Sequence, residues 1–169
     1  IVSRRIAVLA GDGVDLRGTE RTAAALRELG ARVDIVSLIG GGAVTTDTGQ
    51  ELAVDLGLNT TSSSLYDAVL IPGALDSVEQ LAQDGSAIHF VGEAYKHLKP
   101  IAAFGAGIGL LRAAGINPES AGLSETRTDR GVVTTTSHGG SLDELFIEAF
   151  IDTIQRHRTW NRETEAVPA

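Results

Sequence analysis

The sequence contains no cysteine and no methionine. Without cysteine, the chain can form no disulfide, thiol nucleophile or cysteine-ligated metal site. A complete gene product begins with methionine, so we expect this chain to be a processed product or, as we favour, a piece of something longer. No apolar run approaches the ~20 residues of a membrane-spanning helix, and we expect no membrane partner.

Basic residues are outnumbered by acidic ones. Fourteen lysines and arginines against 22 aspartates and glutamates leave a formal net charge of −8. This balance argues against nucleic acid or an anionic membrane surface as the main partner. The first residues, IVSRRIAVLAG, lack the longer apolar segment and the cleavage site of a signal peptide, and we expect a cytoplasmic protein.

The 169 residues and the 43% hydrophobic content are typical of one α/β domain. Nearly continuous apolar runs predict buried strands, and apolar residues at helical spacing predict helices between them. This alternation predicts a flavodoxin-like three-layer α/β/α sandwich with a mostly parallel sheet, in residues 1–157, before a polar tail at 158–169. The predicted strands are 5–10, 32–38, 68–72, 101–104 and 131–136, and the predicted helices are 19–29, 77–82, 86–98, 105–112 and 142–157.

Two smaller elements are expected beside this frame. Residues 43–46 and 51–54 are separated by a short polar stretch, and they predict a small hairpin outside the main sheet. A short edge strand is expected near Leu123.

Two helices carry start signals in the sequence. Asp84 is the expected N-cap of helix 86–98. Ser141 and Glu144 have the S-x-x-E spacing of a capping box and predict the start of the last helix. The apolar residues of that helix expected to pack on the sheet are Leu145, Ile147, Phe150, Ile151 and Ile154.

The stretch PIAAFGAGIGLLR, residues 100–112, predicts a buried strand that turns sharply into a helix. In many α/β enzymes such a corner exposes a nucleophile at its tip, on strained backbone. Here the tip is Gly105, which has no side chain. The sequence therefore keeps the shape of this corner without the group that would perform the chemistry.

A glycine-containing loop, GDGVDLRG at 11–18, follows the first strand where phosphate-binding loops also occur. Its glycines do not have the dinucleotide-binding spacing, and no Walker lysine follows them. Asp12 and Asp15 would repel a phosphate. We favour a tight turn with solvated acidic residues.

His89, Glu93 and His97 lie at i, i+4 and i+8 of one predicted helix. Neighbours at this spacing share a face and are able to ligate a metal ion. The helix already buries its other face, so we favour the alternative that all three face solvent, with Glu93 and His97 as an ordinary surface pair. We therefore assign no metal site.

Ser137 and His138 follow the last strand, and Asp143 comes shortly after them. The carboxyl ends of parallel strands are where α/β folds place ligands. Adjacent side chains on extended backbone point apart, however, so a nucleophile–base hydrogen bond is not expected and no catalytic residue is assigned. If a pocket survives at the corner, its candidate residues are Asp12, Asp15, Gly73, Gly105, Ala106, Ser137 and His138.

A long stretch of the chain resembles a known family. Residues 67–116, and above all AIHFVGEAYKHLKPIAA within them, are similar to the C-terminal domain of large-subunit haem catalases, as is RRIAVLAGDGVD at 4–15. These domains are relatives of PfpI-type proteases, deglycases and class I glutamine amidotransferases, so the resemblance implies a class I glutamine-amidotransferase-like domain in residues 1–157.

The enzymes of that superfamily use a cysteine, a glutamate and a histidine. By resemblance, their cysteine falls on Gly105 and their glutamate on Gly18, with Asp15, three residues earlier, the nearest preceding acid. Their histidine is expected between Gly115 and Asp129, where the sequence has none. All three positions lack the catalytic side chain, as they do in the catalase domains.

The resemblance implies a non-catalytic, stabilising accessory domain of a haem catalase that dismutes hydrogen peroxide to water and oxygen. It implies no cofactor in this domain, haem in a separate core, and contacts with that core and with neighbouring subunits of a homotetramer. Two alternatives stay open: a free-standing hydrolase or glyoxalase-like enzyme of the PfpI/deglycase kind using Ser137 or a bound water, and a small-ligand binding module built on the empty corner.

Overall fold

Parallel strand pairing organises the chain in the computed structural model, which describes residues 1–118, 125–165 and 167. The strands are β1 Arg5–Leu9, β2 Arg32–Ser37, β3 Ala43–Thr45, β4 Glu51–Ala53, β5 Leu56–Gly57, β6 Ala68–Ile71, β7 Ile101–Phe104, β8 Arg127–Asp129 and β9 Val132–Thr135. The α-helices are α1 Leu16–Glu28, α2 Leu75–Ala82, α3 Gly85–Lys96, α4 Ile108–Ala113 and α5 Glu144–Gln155, and 3₁₀ turns lie at Ser63–Leu65, Gly105–Gly107 and Gly139–Ser141.

Within these described residues, seven strands form one sheet in the order β5-β2-β1-β6-β7-β9-β8. All neighbours pair in parallel except β8 and β9, which are antiparallel. The five main strands β2-β1-β6-β7-β9 follow the flavodoxin-like order 2-1-3-4-5. The predicted fold class is thus confirmed.

The central strands are buried on both faces, as a parallel sheet between two helical layers requires. Every residue of β6 and β7 has a side chain that is 0% exposed. One apolar cluster joins the sheet to α1 and α5, and a second joins its other face to α2, α3 and α4. In both layers, the loops that lead from a strand into the following helix lie at the carboxyl ends of the strands, where the glycine corner also lies.

The small predicted hairpin is present as β3 and β4, which pair in antiparallel fashion in a separate sheet. The edge strand was predicted near Leu123, which lies outside the described residues. The observed edge strand is β8, four residues further along, and the two-residue strand β5 at the other edge was not predicted. Both are too short to produce a recognisable alternating pattern.

The start of α1 was predicted three residues too late. The helix begins at Leu16 because the carboxylate of Asp15 caps it, its Oδ1 accepting a hydrogen bond from the N–H of Gly18 at 2.9 Å. At α3 the expected cap is correct: the Asp84 carboxylate accepts from the N–H groups of Ser86 and Ala87.

The predicted capping box at α5 is wrong. Ser141 lies in a 3₁₀ turn, and Leu142 has an extended ψ of 126°. Asp143 is the observed cap and accepts from the N–H of Leu145 at 3.1 Å. The Asp143 carboxylate is two residues closer to the helix than Ser141, and it accepts a hydrogen bond from a free N–H of the first turn. The Ser141–Glu144 capping box is therefore not needed.

The buried face of α5 also differs from the prediction. Leu145 is 62% exposed, whereas Phe146, which was not on the predicted face, is fully buried against the sheet. The Phe146 ring meets the Phe104 ring edge-on at a centroid distance of 5.7 Å. The larger aromatic side chain gains more from burial and sets the rotation of the helix.

The tail contributes a buried cation to the domain. Arg162 is only 6% exposed and donates hydrogen bonds to the backbone carbonyls of Arg130, Tyr95 and Lys99 at 2.8–2.9 Å. Its guanidinium lies over the Tyr95 ring, 4.4 Å from the centroid. Burial lowers the pKa of Arg162 to about 10, so the group stays charged at neutral pH.

Lys99 is a second buried cation held in the same manner. It is 3% exposed, and its Nζ donates to the carbonyls of Ser63 and Tyr66, both at 2.6 Å. Burial lowers the pKa of Lys99. Within the described part of the chain, neither Lys99 nor Arg162 forms an ion pair, so carbonyl oxygens, together with the Tyr95 ring at Arg162, offset the loss of hydration.

Replacing Arg162 by alanine is expected to destabilise the domain by about 3 kcal/mol, because three charge-assisted hydrogen bonds and the ring contact are lost. Arg156→Ala is the matched control, since Arg156 is exposed and forms one ion pair with Asp152. The control is expected to cost about 0.5 kcal/mol. Urea unfolding followed by circular dichroism measures both, and equal losses would show that the tail is not anchored as described.

Candidate functional site

The glycine corner has the backbone of a nucleophile elbow. Strand β7 ends at Phe104, Gly105 has a φ of +55°, and a 3₁₀ turn leads directly into α4. Glycine adopts this left-handed region at little cost, whereas other residues are strained there. A Cβ added at Gly105 would lie 3.1 Å from the Cβ of His138 and 3.6 Å from the Cα of Gly73. The elbow geometry is thus retained, and its tip is closely packed.

At Gly18, which the resemblance aligns with the superfamily's glutamate, an aromatic ring leaves no room for a side chain. A Cβ added at Gly18 would lie 2.7 Å from Cζ and 2.8 Å from Cε2 of Phe104, and 3.0 Å from Oδ2 of Asp15. Contacts this short do not occur between real side chains, so Phe104 would have to move before any side chain could occupy position 18. Phe104, the residue that precedes the elbow, fills the space beside Gly18.

Asp15 is the acidic side chain nearest to this position, and its carboxylate is committed to backbone contacts. It is 3% exposed. One carboxylate oxygen accepts from the N–H of Gly18 at 2.9 Å, and the other accepts from the N–H of Gly139 at 2.6 Å. Asp15 thereby joins the start of α1 to the loop between β9 and α5.

Ser137 and His138 do not form a nucleophile–base pair. The Ser137 Oγ accepts from the N–H of Asp143 at 3.0 Å and shares a hydrogen bond with the hydroxyl of Thr135. The Asp143 carboxylate caps α5 and accepts from the hydroxyl of Thr126 at 2.8 Å. Among the described residues, no hydrogen bond joins Ser137 to His138, so no proton-transfer chain activates the serine.

A cavity of about 270 Å³ lies beside the elbow. Of the candidate pocket residues, Asp15, Ala106 and His138 line it. Gly105 and Ala106 line a second cavity of about 420 Å³ between α2 and α4. The other residues around the first cavity are Asp47, Ala74 and Leu75.

The remaining candidates, Asp12, Gly73 and Ser137, line neither of these two cavities. Asp12 is turned toward the small hairpin, where its carboxylate accepts from the N–H of Thr45 at 2.9 Å. Gly73 contributes a backbone carbonyl, which accepts from the N–H of Asp15 at 3.3 Å. Ser137 lines neither cavity near the elbow.

Sequence reasoning missed Asp47 and Leu75. Asp47 reaches the cavity because the turn of the hairpin folds over the first loop, where the backbone of Val14 pairs with that of Thr46. The Asp47 carboxylate accepts from the N–H of Leu16 at 3.1 Å. No local pattern signals this placement. Ala74 also lies at the cavity, with a φ of +84° that is uncommon for a residue with a side chain.

The histidines of α3 line a different surface. His89, Glu93 and His97 border a cavity of about 420 Å³ on the outer side of the helix. Glu93 and His97 approach to 3.9 Å. Within residues 1–118, 125–165 and 167, no group of three or more histidine and acidic side chains is placed to hold a metal ion. No described helix has the length and apolar character needed to cross a membrane.

Comparison with solved structures defines the class of fold. The chain is similar to Drosophila melanogaster DJ-1beta, with a TM-score of 0.79 and 19% identity over 92% of this chain and 96% of that one. It is also similar to a two-domain protein of Anabaena variabilis with DJ-1/ThiJ/PfpI-like and ferritin-like domains, with a TM-score of 0.81 and 18% identity over 99% of this chain and 50% of that one. At these identities, the likeness shows a DJ-1/PfpI-like fold.

Comparison with family models and curated proteins gives a narrower assignment within this fold class. The model of the C-terminal domain found in long catalases matches residues 2–164, and the chain belongs to this family. It is 48% identical over 169 residues to catalase HPII of Mycobacterium avium, covering all of this chain and 24% of that protein. Catalase-2 of Bacillus subtilis is 34% identical over 160 residues, 95% of this chain and 21% of that protein. The chain thus spans about a quarter of the length of these relatives.

Substitution of Gly18 by alanine tests whether Phe104 closes the elbow. We expect Gly18→Ala to destabilise the domain by about 2 kcal/mol, because the new Cβ overlaps the ring. Combining it with Phe104→Leu, which shortens that side chain, should cost at least ~1 kcal/mol less than the sum of the two single losses. Chemical denaturation of the four proteins in this cycle measures the coupling.

Gly85→Ala is the control for this cycle. Gly85 also lies in the first turn of a helix, but nothing is within 4 Å of an added Cβ. We expect no loss of stability there. Strictly additive losses at positions 18 and 104 would contradict the steric closure of the site.

Proposed function

We propose that this chain is a non-catalytic accessory domain that stabilises a large haem catalase. The parent protein dismutes hydrogen peroxide to water and oxygen on haem held by a separate core. The domain packs on that core and on neighbouring subunits of a cytoplasmic homotetramer. The single observation that supports the proposal is the close packing at the elbow: the Phe104 ring leaves no room for a side chain at Gly18, and Gly105 at the tip has none.

Two further findings support this assignment. The relatives with the highest identities given above are catalases, and the matched region is about a quarter of each of them. The tyrosines of this chain are not placed to ligate a haem. Tyr66 and Tyr95 are at most 9% exposed, and each lies beneath an arginine guanidinium, so neither is free to ligate iron. The proposal therefore places haem in the remainder of the parent protein.

The geometry does not favour a free-standing hydrolase or glyoxalase-like enzyme. Such an enzyme would depend on Ser137, whose hydroxyl is hydrogen bonded to Thr135 and to the N–H of Asp143. No base contacts it within the described residues, so its nucleophilicity is that of an ordinary hydroxyl. A small-ligand module would use the 270 Å³ cavity, but there the buried carboxylate of Asp15 is already satisfied by two N–H groups.

Removal of this domain from the full-length protein tests the proposal. We expect peroxide turnover per bound haem to change by less than about twofold, because no reactive group is lost with the domain. The melting temperature should fall by several degrees as the apolar contacts with the core are lost. Haem absorbance, oxygen evolution and differential scanning calorimetry provide the readouts.

The control for this deletion is Leu145→Ala, an exposed change on α5 in the full-length protein. It is expected to leave both turnover and melting temperature unchanged. A deletion that abolishes turnover per haem while the core stays folded would contradict a stabilising role. A start codon immediately upstream of Ile1 would contradict the parent assignment itself.

A further inference from the structure

A groove of about 450 Å³ lies at the opposite end of the sheet from the elbow loops, where the β8–β9 turn, the end of α5 and the tail meet. Three arginines and a tryptophan are among the residues that line it: Arg130, Arg156, Arg158 and Trp160. We call it the arginine groove. None of the elbow residues lines it. Its chemistry is therefore separate from that of the candidate site.

The groove brings three arginine side chains together on a chain whose formal net charge is −8. Arg156 is paired with Asp152 at 2.6 Å, and Arg130 approaches Asp129 and Glu163 to 3.8 and 3.5 Å. The side chain of Arg158 donates to the carbonyl of His157 and, among the described residues, has no ion pair. These guanidiniums retain donors for carboxylates from outside the domain.

Trp160 presents a large apolar surface beside these arginines. It is 82% exposed, whereas the four phenylalanines and two tyrosines of the chain are all at most 9% exposed. An indole that stays in water does not gain the free energy that burial of its apolar surface would provide. Tryptophan and arginine are the residue types most enriched among those that dominate the energy of protein interfaces.

The groove is also held in a fixed shape. Arg162 lies beneath it, and its Nε donates a hydrogen bond to the carbonyl of Arg130. Its Nη2 is buried without a hydrogen-bond partner among the described residues. The N–H of Thr159 donates to the carbonyl of Leu98 at 3.0 Å. Arg130 and His157 have φ values of +46° and +68°, which are strained for residues with side chains. A pre-formed surface loses little entropy when a partner binds.

We propose that the arginine groove is the surface on which an acidic patch of the catalase core docks, with Trp160 buried at the contact. This inference rests on the proposed function. The relatives contain about three times as much additional protein as this chain, which is enough to cover the groove. The remaining surface is acidic overall and would repel such a patch, so the groove fixes the orientation of the domain on its partner.

The test is oxidative footprinting of the intact full-length protein, in which hydroxyl radicals label exposed side chains and peptide mass spectrometry locates the label. The same protein unfolded in urea supplies the reference rate for each residue. We expect Trp160 to be labelled at least tenfold more slowly in the folded protein than in the unfolded one. Leu145, which is 62% exposed, serves as the internal control and is expected to keep most of its unfolded rate.

Charge reversal identifies the partner. Arg130→Glu with Arg158→Glu is expected to raise the labelling of Trp160 at least fivefold, because the acidic patch is repelled. Arg17→Glu with Arg112→Glu is the matched control, two exposed arginines outside the groove with the same change in charge. The control is expected to leave Trp160 protected.

Three results would overturn the inference. Labelling of Trp160 at its unfolded rate in the intact protein would show that nothing covers it. Protection that disappears on dilution would assign the groove to a second copy of the chain, and protection restored by added phosphate after dialysis would assign it to a small anion. If the full-length protein shows no haem and no peroxide turnover, the proposed function fails instead, and the two failures are thereby distinguished.

Discussion

The close contact between Phe104 and Gly18 is the packing constraint on which the geometry of the elbow depends. A Cβ at position 18 would lie 2.7 Å from the Phe104 ring, which itself packs edge-on against Phe146 of α5. The ring thus fills the space beside Gly18, and it also joins the sheet to a helix of the core. Gly105 then turns the chain with a positive φ and presents no side chain. The proposed non-catalytic role of the domain depends on this packing.

Local sequence signals were sufficient for the frame of the fold. The run at β7 is apolar and bounded by Pro100 and Gly105, so its limits were predicted correctly. Local signals failed where two of them compete, as at α5, where Asp143 displaced the Ser141 box as the cap. They also failed where a residue's partners are distant in sequence. Arg162 looks like part of a polar tail until β8, α3 and β7 bring three carbonyls together around it.

The same distinction applies to the candidate site. Asp15, Ala106 and His138 were placed near the elbow because the carboxyl ends of parallel strands meet at one edge of a sheet. Asp47 could not be placed, because the position of the small hairpin depends on long-range backbone contacts with the first loop. Asp12 looked equivalent to Asp15 in the sequence, yet it binds that hairpin instead of the elbow.

The most direct measurement of the central claim is covalent labelling of the full-length protein with a fluorophosphonate probe, followed by peptide mapping of this domain. This probe modifies serine hydroxyls that have been activated as nucleophiles. A domain whose elbow is filled by packing should carry no stoichiometric adduct in any of its peptides. A single adduct on Ser137, abolished by His138→Ala, would show that an active nucleophile remains beside Gly105.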